Sequence, residues 1–102
     1  MYKLTALYRM PQDPDHFRNH YENVHMPLVR KMPGVLRMNY TFDVKDLAGN
    51  QPYFCIFEAY FRTAQDMVDA ANSPEGQAVT ADIPNYRPGE FEIVHYEVPD
   101  EG

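Results

Sequence analysis

The chain predicts an α+β fold of the ferredoxin-like kind, in which two helical segments cover one face of a four-stranded antiparallel sheet. Three observations carry that expectation. Strand-like and helix-like stretches alternate as β-α-β-β-α-β, the split βαβ order. Gly49 and Asn50 mark a tight turn between the second and third strands, which makes that pair a hairpin. The third strand is apolar on both of its faces, so the sheet face that the helices leave bare asks for cover, and a second copy of the chain is the usual cover.

Residues 2–8 are apolar with β-formers and stop at Met10 and Pro11, which reads as the first strand. Asp13 then fits an N-cap and Pro14 the first helical position, while Asp15 sits at the end of the helix dipole that favours an acid. Phe17, Tyr21, Val24 and Leu28 follow at spacings of four, three and four, which predicts one apolar stripe. Pro33 and Gly34 break the pattern, residues 35–44 read as the second strand and residues 45–52 as the turn. Residues 53–61 form the third strand, with Tyr53, Cys55, Phe57, Ala59 and Phe61 on one face and Phe54, Ile56, Glu58 and Tyr60 on the other. Thr63 caps the next helix, with Asp66 three residues on, and its expected stripe is Ala64, Met67, Val68 and Ala71. Ser73, Pro74 and Glu75 repeat the cap-then-proline signature and start a short further helix. Residues 83–89 read as a loop, residues 91–98 as the last strand and residues 99–102 as a frayed tail. One domain over residues 1–102 is expected, built as a dimeric α+β barrel from two face-to-face sheets.

Composition narrows the function. Nine Lys and Arg against fifteen Asp and Glu leave a net charge of −6 without a basic cluster. That argues against nucleic acid and against an anionic membrane surface as partners. No apolar run is long enough to span a membrane, and residues 1–9 lack the apolar core of a signal peptide, so a cytoplasmic location is expected. Cys55 is the only cysteine and, between Phe54 and Ile56, reads as a small buried hydrophobe. Eight Tyr and six Phe are enough to fill a core and to line a pocket for a flat organic molecule.

The chemistry-bearing segment surrounds His25. It lies four residues after Tyr21, so the two side chains are helical neighbours. Pro27 deprives the carbonyl of Asn23 of its helical partner and disfavours the α region at Met26, so the helix should kink or end there and leave His25 in a last turn. The dipole at such an end favours the imidazolium and burial opposes it. A group so placed can act as a general acid or base, or can simply be a core histidine bonded to a backbone carbonyl. His16 and His20 stand at a metal-compatible i, i+4 spacing, but the sequence offers no third ligand and no metal is expected. His95 on the last strand is placed to enter a pocket from the sheet and pair with His25, or to be an edge residue. No phosphate loop, nucleotide fingerprint or nucleophile elbow occurs, and nothing in the chain requires a cofactor.

Tyr21, His25, Pro27 and Leu28, then Pro33, Gly34 and Val35, and later the Ser73, Pro74, Glu75, Gly76 block ahead of Asp82, Ile83, Pro84, Asn85 and Tyr86, together resemble the EthD family. The resemblance spans essentially the whole chain. It implies a ferredoxin-like subunit and a homodimeric α+β barrel, and it raises the expectation of a working role for His25. Related barrels include cofactor-free monooxygenases, lactone isomerases, polyketide cyclases and plain binding proteins. The expected function is therefore a cofactor-independent enzyme acting on a small hydrophobic, aromatic or carbonyl-containing molecule by oxygenation, isomerisation or cyclisation. His25 and Tyr21 are its candidate catalytic residues, and Phe17, Leu28, Tyr40, Phe57 and His95 its candidate ligand contacts. The alternatives are a non-catalytic binding or accessory protein for a hydrophobic metabolite, and a purely structural dimer with a solid core.

Overall fold

The computed structural model describes residues 1–99; of the tail expected over residues 99–102, all but the first residue lies outside them. Strand β1 (Tyr2–Tyr8) leads into α1 (Pro14–His20), a π-helical turn (Tyr21–His25) and α2 (Met26–Val29). Strands β2 (Arg37–Val44) and β3 (Tyr53–Phe61) follow, then α3 (Ala64–Asn72), α4 (Pro74–Asp82), a 3-10 turn (Ile83–Tyr86) and β4 (Phe91–Glu97). The sheet order is β2-β3-β1-β4, and every neighbouring pair is antiparallel. The split βαβ expectation holds, and the helices all lie on one side.

Local chemistry accounts for most boundaries. The Asp13 carboxylate accepts from the His16 amide (3.1 Å), Thr63 Oγ1 from the Asp66 amide (3.1 Å) and Ser73 Oγ from the Gly76 amide (3.0 Å). Each occupies one of the amides that a helix start leaves without a carbonyl. The β2–β3 turn is held by the Asp46 side chain, which accepts from the amides of Ala48 and Asn50, while Gly49 takes a φ of 91°.

The core lies between sheet and helices. Phe17, Tyr21 and Tyr86 are fully buried and interlock edge-on with Tyr8 from the sheet; Phe17 and Tyr86 are 4.9 Å apart between ring centres. Burying a side chain of this size stabilises by about 1.5–3 kcal/mol apiece. The register places Leu4, Ala6 and Tyr8 beside Ala59, Phe57 and Cys55 on the helix-covered face.

Four expectations need correction. The first helical stripe is not Phe17, Tyr21, Val24 and Leu28: Val24 is exposed, Leu28 is half-buried, and His25, Met26 and Val29 are buried instead. The π turn adds a residue to one turn and rotates everything after it. In the next helix Met67 and Ala70 are buried while Ala64, Val68 and Ala71 are exposed. Phe54 does not face the open side, because alternation breaks at the start of β3 and its ring packs on Phe17 and Phe42. The 83–89 segment is not all loop, since its first half forms the 3-10 turn.

Candidate functional site

Pro27 has no amide hydrogen, and its ring would press on the carbonyl four residues earlier. The chain responds by widening the preceding turn: the Met26 amide donates to the carbonyl of Tyr21, five residues back, and the helix then continues through Val29 instead of ending. His25 is therefore not in a terminal turn among free carbonyls. It is buried on the inner side of an uninterrupted helical segment, one residue of rotation away from where an ideal helix would put it. Single π turns of this kind are frequent at functional sites.

The partner of His25 is a carboxylate. His25 Nδ1 donates to Asp82 Oδ2 at 2.9 Å, and Asp82 Oδ1 accepts from His20 Nε2 at 2.9 Å and from Asn85 Nδ2 at 3.0 Å. An ionised carboxylate only accepts, so the Nδ1 of His25 carries the hydrogen and a neutral ring presents the Nε2 lone pair. No group among the described residues bonds Nε2, yet no buried side-chain nitrogen or oxygen is left without a partner. Nε2 thus keeps some exposed surface, and His25 helps to line a cavity.

Burial pushes the His25 pKa down, and the Asp82 carboxylate only partly restores it, so the ring is held below the ordinary histidine value. Burial pushes the Asp82 carboxyl up, but hydrogen bonds from His20, Asn85 and His25 outweigh it and keep the acid below the usual carboxylate range. The dyad at neutral pH is a neutral imidazole oriented by a carboxylate.

The cavity, of about 130 Å³, lies between the sheet and the helices. Ala6, Phe57 and Ala59 form its floor, and Tyr21, His25, Val29 and Val79 its roof. Thr80 and Ile93 also line it and are exposed, so the cavity reaches the surface. The Tyr21 ring lies 5.1 Å from that of His25. Burial raises the Tyr21 pKa well above its ordinary value, so the hydroxyl stays protonated, and its neighbours are the Tyr8 hydroxyl and the Cys55 thiol. Burial also pushes the Cys55 thiol up to about 12, which removes it as a nucleophile at neutral pH.

Of the residues expected from sequence, His25, Tyr21 and Phe57 meet at this cavity. Phe17 is sealed in the aromatic core and Leu28 is turned away by the π turn. Tyr40 packs edge-on against Tyr21 but donates its hydroxyl to Glu22 at 3.2 Å. His95 does not pair with His25; its Nδ1 shares a 2.6 Å hydrogen bond with the Tyr2 hydroxyl. His16 donates to the carbonyl of Asn85, while His20 joins the dyad through Asp82. Sequence reasoning missed Asp82. The available signal was an acid at a helix C-terminus, where the dipole disfavours one unless it is paired.

The fold and site define a ferredoxin-like α+β protein with an apolar cavity and one histidine–aspartate dyad. Residues 9–87 match the EthD domain, and the chain belongs to the EthD family. It is 37% identical over 90 residues, 87% of this chain and 86% of the relative, to an uncharacterized 11.0 kDa protein from the thcB-thcC intergenic region of Rhodococcus erythropolis. An EthD family protein of Bacillus halodurans superposes with a TM-score of 0.89 at 31% identity, covering 97% of this chain and 99% of that one. A dimeric ferredoxin-like protein of Thermobifida fusca shares the fold, with a TM-score of 0.70 at 18% identity over 95% of this chain and 90% of that one.

Proposed function

We propose that the chain is an enzyme that needs no cofactor of its own and moves a proton on a small hydrophobic, carbonyl-bearing molecule. The observation that carries this reading is the His25 ring, anchored at Nδ1 by Asp82, with no described group bonded to Nε2, in the wall of an apolar cavity that Tyr21 also lines. Nε2 removes a proton from the carbon next to the carbonyl. The electron pair of that C–H bond moves onto the carbonyl oxygen, and the Tyr21 hydroxyl donates a hydrogen bond to the enolate formed. The imidazolium is stabilised by Asp82 and returns the proton to the enolate at carbon or oxygen. That step is common to isomerisation, to ring closure and to oxygenation through a carbanion. The aspartate also fixes the tautomer, without which Nε2 would carry the hydrogen and could not accept.

Tyr21, His25 and Phe57 hold their sequence-based roles in this reading, and Asp82 is added as the residue that positions His25. We further read the chain as a cytoplasmic homodimer. The uncovered sheet face carries a strip of Leu7, Ile56, Val94 and Tyr96, the last two exposed, and the fold neighbour from Thermobifida fusca is dimeric. Face-to-face pairing of two such sheets would cover that strip.

The test is deuterium exchange into cyclohexanone and acetophenone in heavy water, followed by NMR. The wild type should accelerate exchange, and His25→Gln should slow it by about 10²–10⁴-fold, the usual worth of a general base. Equal exchange in wild type and His25→Gln would rule out the mechanism and leave a binding role.

A further inference from the structure

We propose that the cavity is built for an uncharged molecule that places a single ring inside it, with one hydrogen-bond donor or one acidic C–H against His25, that it excludes anions, and that a second fused ring gains nothing from it. The inference rests on reading the His25 cavity as the working site and names the class of molecule it takes.

Volume sets the size limit. At about 130 Å³, the cavity is close to the engineered protein cavity of roughly 150 Å³ that stays dry and accommodates benzene. A fused bicycle would have to displace the floor, where Phe57 and Ala59 are buried β-strand residues, or the fully buried Tyr21 in the roof, or else leave its second ring in the mouth that the exposed Thr80 and Ile93 line. Packed interiors resist such shifts.

Electrostatics sets the charge. No Lys or Arg is among the described residues that line the cavity. Behind its wall stands the Asp82 carboxylate, bonded to His25. A carboxylate or phosphate ligand would lose its hydration, gain no cation and face a like charge. A ligand cation would meet walls of Leu, Ala, Val and Phe with no carboxylate oxygen exposed to it.

The tautomer sets the polar end. Asp82 takes the Nδ1 hydrogen of His25, so the cavity-facing Nε2 accepts and does not donate. The matching ligand group is a hydroxyl, or the acidic C–H of a ketone. A second oxygen on the ligand would accept from Tyr21 only if that hydroxyl turned from Tyr8 and Cys55. The rest of the ligand must be hydrocarbon.

Four probes at pH 7.5 separate these demands: phenol, toluene, benzoate and 2-naphthol, each measured by calorimetry and by the His25 ring signals in NMR. Phenol should bind and shift the His25 signals. Toluene should bind about five-fold more weakly, for want of one hydrogen bond. Benzoate should bind at least about 100-fold more weakly than phenol, for want of a cation and of hydration, and 2-naphthol no more tightly than phenol. Ala59→Leu, which shrinks the floor without touching the dyad, should abolish phenol binding; if that variant fails to fold, the His25 shift in the wild type locates the probe instead. Binding of benzoate as tight as that of phenol, clearly tighter binding of 2-naphthol than of phenol, or no binding of phenol at millimolar concentration would overturn the proposal. Phenol binding at His25 without ketone exchange would uphold this ligand class and refute the catalytic reading. His25-dependent ketone exchange together with tight benzoate binding would do the reverse.

Discussion

The two halves of the pseudo-repeat each carry a broken helix over the sheet, and they break differently. In the first half, one proline inside the helix is absorbed by a π turn, and the helix continues in a rotated frame. In the second half, Ser73 leaves helical geometry altogether (φ −65°, ψ 159°) and re-caps a new helix at Pro74. The first break turns His25 inward. The second lets α4 run across α3 and bring Asp82, 57 residues later in the chain, within 2.9 Å of it. A distortion within a helix aims a side chain, whereas a full stop re-aims a whole element, and the site needs one of each.

The largest effect expected from breaking this arrangement lies at the α3–α4 crossing. A Cβ on Gly76 would lie inside the van der Waals envelope of the Ala70 and Ala71 carbonyl oxygens, which are backbone and cannot step aside. Gly76→Ala should therefore force the helices apart and lose about 3 kcal/mol by urea denaturation. An unchanged midpoint would mean that the close approach is not needed.

Next in size is Asp82→Asn. The carboxylate serves His20, His25 and Asn85 together, and hydrogen bonds to a charged group are worth about 1.5–3 kcal/mol each. The variant should lose about 2 kcal/mol, and its His25 should titrate still lower, because the group that favoured the imidazolium is gone. A rise in the His25 pKa would contradict the dyad.

Acid should then act through the same pair. The folded chain holds His25 below its ordinary value of 6.5, so just below that pH the unfolded chain binds the extra proton and the folded one resists it. Stability should be full above pH 6.5 and fall as pH drops through 6.5 toward the folded pKa. Asp82, also held low, adds a second loss as the pH falls below 3.8. His25→Gln should flatten the first of these two slopes and keep the part of the second that His20 and Asn85 support, as read from unfolding midpoints against pH. The smallest effect expected is at the second break: Ser73→Ala removes the acceptor for the Gly76 amide and should cost about 1 kcal/mol.

The same contrast explains what could be read from the sequence. The break at Ser73 and Pro74 was legible, because capping residues announce themselves locally, and so were the caps at Asp13 and Thr63 and the turn at Gly49. The split βαβ element order and the antiparallel hairpin were legible too, and the sheet order β2-β3-β1-β4 is what that arrangement builds. The π turn was not legible in detail: Pro27 signalled a disturbance, but whether a helix ends, kinks or widens depends on what packs against it. With that choice went the stripe, so Leu28 was taken for a lining residue in place of Val29. Asp82 stood inside the segment that carries the family resemblance, yet nothing local gave it a role, because its partners His20 and His25 lie at the far end of the chain. Phe17, Tyr40 and His95 were plausible aromatic contacts whose destinations only the packing decides.

The central claim is that His25 is a neutral base, oriented by Asp82 and open to the cavity. Long-range ¹H–¹⁵N NMR of the histidine rings tests it most directly. The account predicts that at pH 7.5 His25 is neutral, with its hydrogen on Nδ1, and that it titrates below 6.5. A hydrogen on Nε2, or titration at or above 6.5, would contradict it.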